Sequence, residues 1–328
     1  MPYLNVRRAK LIRQENSQEM KTQERLPDFL IIGAGKSGTT AILYFLGKHP
    51  EIFFPTRKEP NFFALKGVDV NSYEFEESKE YHLRSIDNLE DYLELFKDAP
   101  KDKVAGENSN QYLYSEQAIS NIKEYVPHAK LIALIRHPAE RLVSRYNHME
   151  RDNVVPEGGV NAIFDKTSIW WKRPDLLQEG YYGKHLEKYF EAFDKDQIKV
   201  ILYDDFKADN EGVIKDICGF IGVSPDFEVD TEIEINKSGK LKDNLFNKML
   251  GQNGTIINTL KKVSPTIHKS LKRNVVIKEA LIQWRNKNLE TVEFPADFKK
   301  RVTNEIYMDD IKKLEKVLGR SLKHWYTF

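Results

Sequence analysis

A chain of 328 residues with 51 Lys plus Arg against 50 Asp plus Glu has a formal net charge of +1, so its overall balance points to neither nucleic acid nor an acidic partner. At this length one large α/β domain buries a full core without staples. The single cysteine, Cys218, excludes an intramolecular disulfide and gives no basis for a zinc site. That usage suits a reducing compartment, and a cytoplasmic location is expected.

Residues 1–27 alternate charged and polar types and read as a solvated arm, with no apolar stretch that would serve as a signal-peptide core. No apolar run approaches the roughly 20 residues of a membrane helix. From 28 to 328 a single domain is expected. Phe29-Leu30-Ile31-Ile32 reads as a buried parallel strand, followed by a glycine-rich loop and an apolar helix from Ala41 to Leu46. Ile52-Phe53-Phe54 and Val104-Ala105 are weaker strands; Lys130 to Ile135 and Ile198 to Tyr203 are strong ones. Between them, Leu142, Val143, Tyr146 and Met149 form one helical stripe, and Tyr182, Leu186, Tyr189, Phe190 and Phe193 another. Near the end, Tyr307, Ile311, Leu314 and Leu318 share a face, with Gly319 placed to cap that helix. The alternation predicts an α/β fold of three layers: a central, mostly parallel sheet flanked by helices. Residues 150–180 and 236–296 break the rhythm and are expected to be acceptor-site insertions.

The loop Gly33-Ala34-Gly35-Lys36-Ser37-Gly38-Thr39-Thr40 lies directly between strand and helix. Glycines let successive amides curl around an anion, and the first amides of the helix add to them. The order of residues departs from the GxxxxGK[ST] pattern, because Thr39 follows the last glycine and the lysine sits inside the loop. A nucleotide hydrolase holds magnesium with its loop hydroxyl, whereas an internal lysine reaches the bridging oxygen of a leaving group with no metal. Two other readings stay open at this stage: a magnesium-dependent nucleotide kinase or hydrolase, and a nucleotide-binding protein without chemistry.

GAGKSGTT resembles the 5′-phosphosulfate loop of the sulfotransferase superfamily, a resemblance that implies a P-loop-like α/β fold and 3′-phosphoadenosine 5′-phosphosulfate (PAPS) as donor. A second segment extends the resemblance. Leu131 to Ile135 runs into Arg136-His137-Pro138 and a helix carrying Ser144 about two turns in, similar to the family's 3′-phosphate motif of a strand-end arginine and a helix serine. The resemblance implies that Gly35, Lys36, Ser37, Gly38, Thr39 and Thr40 bind the 5′ side of the donor and that Arg136 and Ser144 bind its 3′-phosphate. Asn236-Lys237-Ser238-Gly239-Lys240 stands where family members have a basic loop over the nucleotide, implying donor contacts from Lys237 and Lys240. It lacks the RKG signature of the cytosolic aryl-type enzymes, which favours the carbohydrate-like branch.

In-line sulfuryl transfer needs a base for the acceptor proton and positive charge for the departing phosphate. Lys36 is expected to supply the charge, and no metal is assigned. Lys58-Glu59-Pro60-Asn61-Phe62-Phe63 looks like the segment that bears the catalytic carboxylate in heparan-type sulfotransferases, so Glu59 is the expected base, with Phe62 and Phe63 as apolar neighbours that would tune it. Glu107, just after a predicted strand, is the second candidate. The acceptor is expected to be a small molecule or glycan, carbohydrate or glycolipid-like. Between Lys240 and Lys287 eleven Lys or Arg stand against Asp243 and Glu279, a stretch that reads either as a solvated helical face or as a contact with a membrane or an anionic acceptor.

Overall fold

Five of the apolar runs become five parallel strands, β1 (Phe29–Gly33), β2 (Ile52–Phe53), β3 (Val104–Asn108), β4 (Lys130–Ile135) and β5 (Ile198–Leu202), in one sheet of order β2-β3-β1-β4-β5. This architecture comes from a computed structural model that describes residues 25–152 and 154–227, the backbone of 240–241 and 289–290, and residues 292–328. Because side chains alternate across a strand, Leu30 and Ile32 of β1 join one core with Leu131, Ala133 and Ile135, while Phe29 and Ile31 join another with Ile132 and Leu134. A strand buried on both faces must be apolar at every position, which is why these runs are continuous rather than alternating.

Helices α1 (Thr39–Leu46) and α6 (Asn210–Ile221) cover the second face through Ile42, Phe45, Ile214 and Ile217. The other is covered by α3 (Glu116–Tyr125), α4 (Pro138–Asp152), α5 (Tyr182–Ala192) and α7 (Met308–Leu318). A further helix, α2 (Glu76–Leu83), stands at the rim. Gly319 ends α7 at φ 62, the left-handed turn expected of it.

Every strand except β4 differs in its end from the sequence expectation: β1 runs one residue further, to Gly33, and β2 stops at Phe53. β3 continues through Glu107 to Asn108, because its pairing with β1 carries the extended backbone past the short apolar run. β5 stops at Leu202, and Tyr203 opens a short helix, Tyr203–Ala208. A five-residue π turn, Thr303–Tyr307, precedes α7 and carries Tyr307 into the core. The 150–180 region is a chain of short turns anchored by Trp170, which is fully buried and stacks on Tyr146. Lys237 and nearly all of the basic stretch lie outside the described residues. Of Lys240, only the backbone is described, in a two-residue antiparallel pairing with Glu290.

Candidate active site

At the centre of the sheet β1 has β3 on one side and β4 on the other, and the loop after it opens at the carboxyl ends of the strands, where ligands of such sheets bind. Gly38 caps α1 at φ 101, and a Cβ there would stand 3.0 Å from the Tyr203 ring. Only glycine meets both conditions. Gly35 is confined from below: its N–H donates to Glu179 Oε1 at 2.6 Å, and a Cβ on it would stand 2.8 Å from the same oxygen. Glu179 in turn pairs with Arg141 Nη1 at 3.0 Å, with both side chains buried. The loop therefore rests on an ion pair contributed by α4 and by the segment at 150–180.

Above the loop lies a cleft of about 1360 Å3, to which Gly35, Lys36, Gly38, Thr39 and Thr40 all contribute. Arg136 and Ser144 face the same space, as does Glu59. The geometry of a helix leaves the amides of Thr39 and Thr40, the first two residues of α1, outside its hydrogen-bond ladder, which suits them to an anion in that cleft. Ser37 departs from its expected role. Its side chain is fully buried beside Tyr182, its N–H is directed to Ala34 O, and it does not line the cleft, so it points into the protein.

Arg136 leaves the end of β4 with its Nε and Nη2 donating to Glu140 Oε2 at 3.2 and 3.1 Å, and its guanidinium lies 4.7 Å from the centre of the Tyr203 ring. These contacts fix the plane of the group. Ser144 is nearly buried on α4, facing the cleft from the adjoining element.

Glu59 occupies an unusual backbone position. Its φ is 48 and that of Asn61 is 60, a pair of left-handed, non-glycine residues around Pro60. Such residues cost on the order of 1–3 kcal/mol each and persist only where the surroundings over-determine them. Here Glu59 N–H donates to Asn108 O at 3.1 Å, Asn61 N–H to Ser109 Oγ at 3.0 Å, and Asn61 Nδ2 to Glu59 O at 2.7 Å. The segment is thereby tied to the end of β3, and the Glu59 side chain reaches the cleft.

The two other expectations for this region are corrected. Phe62 and Phe63 do not surround Glu59: they are fully buried, and Phe62 stacks on Tyr92 at 4.4 Å. They form part of the aromatic core around Glu107. Glu107 is 1% exposed, accepts from Ser109 Oγ at 2.9 Å and Tyr92 Oη at 3.3 Å, and does not line the cleft. Burial, only partly offset by those hydroxyls, pushes its carboxyl up to about 7. Such a group packs the core and has no route to an acceptor proton.

The pH consequence is testable. Because the folded pKa is raised, the folded chain keeps a proton between roughly pH 4.5 and 7 that the unfolded chain has released, so the Glu107 contribution to stability falls as pH rises through that window. Glu107→Gln should remove roughly 3 kcal/mol of that decline. Urea denaturation of wild type and variant at pH 5 and pH 8 measures it; a stability difference between them that is the same at both pH values refutes the assignment.

A family model described as "Sulfotransferase domain" matches residues 26–274, three quarters of the chain and all of the loop, Arg136 and Ser144. The chain belongs to the sulfotransferase family. Similar curated proteins include the human bifunctional heparan sulfate N-deacetylase/N-sulfotransferase 3, 28% identical over 215 residues that cover 63% of this chain and 23% of that protein. The Caenorhabditis elegans protein named bifunctional heparan sulfate N-deacetylase/N-sulfotransferase 1 is 28% identical over 222 residues, 66% of this chain and 24% of its own. The sulfotransferase thus spans about a quarter of the length of these relatives. A crystal structure of a sulfotransferase from Alicyclobacillus acidocaldarius shares the fold, with a TM-score of 0.62 and 23% identity over 92% of this chain and 100% of that one.

The resemblance of the strand-end motif implies that the Arg136 guanidinium would meet a nucleotide 3′-phosphate. Arg136→Ala should weaken binding of the product nucleotide, adenosine 3′,5′-bisphosphate, by about 10- to 100-fold, the range of a charge-assisted hydrogen bond. Isothermal titration reads this directly, and unchanged affinity would remove Arg136 from the donor site.

Three features of the site were not foreseen in the sequence: the Arg141–Glu179 pair beneath the loop, the Tyr203 ring against Arg136, and Asn110, which contacts both Thr39 and Glu59. Each joins residues from separate elements. The only sequence signal was indirect, in that charged residues at 141 and 179 stand within otherwise core-forming segments.

Proposed function

We propose that this sulfotransferase moves a sulfuryl group from PAPS to a hydroxyl or amine of a carbohydrate or glycolipid-like acceptor, by in-line displacement without a metal. One observation carries the reading: a single cleft is lined by the phosphate loop with Lys36, by Arg136 and Ser144, and by the carboxylate of Glu59. In the reaction the acceptor oxygen or nitrogen forms a bond to sulfur as the bond from sulfur to the bridging phosphate oxygen breaks. Glu59 takes the acceptor proton, and Lys36 neutralises the charge released on the phosphate. The names of the relatives, heparan sulfate N-sulfotransferases, support a glycan and leave the amine among the acceptors tested. The positive excess at residues 240–287 supports an anionic acceptor or surface. A single cysteine, which leaves no intramolecular disulfide, supports a cytoplasmic location.

The test is an incubation with sulfur-labelled PAPS, EDTA, competing ATP and a panel of acceptors comprising amine-bearing and N-blocked glycosaminoglycan oligosaccharides, neutral sugars and glycolipids. Label transfer that EDTA leaves intact is the expected result. Dependence on magnesium with consumption of ATP would identify a nucleotide kinase or hydrolase instead, and donor binding without transfer to any acceptor would identify a binding protein.

A further inference from the structure

Glu59 is held by its side chain as firmly as by its backbone. Oε1 accepts from Asn110 Nδ2 at 2.7 Å, and Oε2 accepts from Tyr81 Oη at 3.1 Å, so each oxygen already has one donor. The direction of the Asn110 amide is not arbitrary. Its Oδ1 accepts from Thr39 Oγ1 at 3.2 Å and from Asn108 Nδ2 at 3.3 Å, which leaves the amide nitrogen to face Glu59. The backbone of Asn110 is fixed too, because its carbonyl packs so closely on Gly33 that a Cβ there would stand 2.9 Å away. Asn110 therefore spans from the first residue of α1, at the phosphate loop, to the carboxylate proposed as base. Tyr81 comes from the rim helix α2, and its own hydroxyl accepts from Asn61 Nδ2 at 2.9 Å, closing the ring of contacts.

We propose that Asn110 and Tyr81 are positioning residues that aim the Glu59 carboxylate at the acceptor, and that Asn110 couples this aim to the donor through Thr39. The proposal rests on Glu59 as the base. A carboxylate on a flexible side chain has many rotamers, and one donor per oxygen selects a single orientation while leaving lone pairs for the acceptor proton. Around Glu59 stand Tyr81 of α2, Arg84 just after that helix, Lys58 beside it, Lys36 of the loop and the buried Glu107 of β3. Tyr81 donates directly to the carboxylate.

Turnover is measured for the full chain, with labelled PAPS and the panel acceptor that gives the highest transfer. Asn110→Ala is expected to lower kcat about tenfold with donor KM changed less than about threefold. Asn110→Asp, which sets a like charge against Glu59, should lower kcat further, and Tyr81→Phe should lower it by less, again with donor KM nearly unchanged. Tyr81→Phe removes one oxygen from a side chain that is 42% exposed, so it keeps the test independent of any folding defect at Asn110. Wild-type kcat in both Asn110→Ala and Tyr81→Phe would overturn the proposal while leaving Glu59 as the base. Wild-type turnover in Glu59→Gln would overturn the base itself, and absence of transfer to every acceptor would overturn the reaction, so the three failures are distinct.

Discussion

Lys36→Ala is expected to lower sulfuryl transfer by about 100- to 1000-fold, the loss seen when one preorganised donor to a developing negative charge is removed. The reason lies in where Lys36 sits. It occupies a left-handed position, φ 67, in the loop that lines the cleft, so its backbone is set before any donor arrives. Charge builds on the bridging phosphate oxygen only as the bond to sulfur breaks, and a lysine that meets it there stabilises the transition state more than the bound donor. Affinity for the product nucleotide should therefore fall much less than the rate. Single-turnover transfer from labelled PAPS, compared with titration of adenosine 3′,5′-bisphosphate, separates the two. A variant with a wild-type single-turnover rate would show that the leaving group is neutralised by something else.

The second large effect is on folding. Arg141→Met should destabilise the protein by about 3–5 kcal/mol, because it leaves the Glu179 carboxylate buried without its cation. Burial raises the Glu179 pKa, and Arg141, Arg145 and the Gly35 N–H oppose that rise. With Arg141 gone, the carboxyl would take up a proton or draw in water, and in either case its hold on the Gly35 N–H weakens. Donor affinity should fall along with stability, although Arg141 does not line the cleft. Adding Glu179→Gln to Arg141→Met should recover part of the stability, since no unpaired charge then remains. Urea denaturation of the three variants measures both effects. Equal stability of Arg141→Met and wild type would mean that Glu179 is not held as an ion.

Much of the site was legible because its signals are local. A strand, a glycine-rich loop and a helix in unbroken succession define a phosphate cradle, and the same reasoning at Arg136 and Ser144 needs only a strand end and about two helical turns. The placement of Glu59 in the cleft follows the same segment-level resemblance. What failed was the direction of individual side chains. Ser37 stands in the middle of the loop yet turns inward, and Phe62 and Phe63 pack around Glu107 instead of the carboxylate three residues before them. Helical and extended segments have periods that forecast a face; a loop with two left-handed residues has none.

What the sequence by itself determined about this protein is the parallel sheet, the glycine-rich loop with its internal lysine between strand and helix, and the membership in the sulfotransferase family. All of these depend on residue order within short windows, where backbone geometry dictates what neighbours do. The tertiary structure alone decided that Glu107 is turned away from the cleft, why the Gly35 N–H is engaged by Glu179, and how Asn110 joins Thr39 to Glu59. Those contacts bridge up to 144 positions of sequence, as in the Gly35–Glu179 bond. No periodicity encodes such a separation. It arises when the order of strands in the sheet brings the end of β3, the loop after β1 and the segment beyond α4 to one edge.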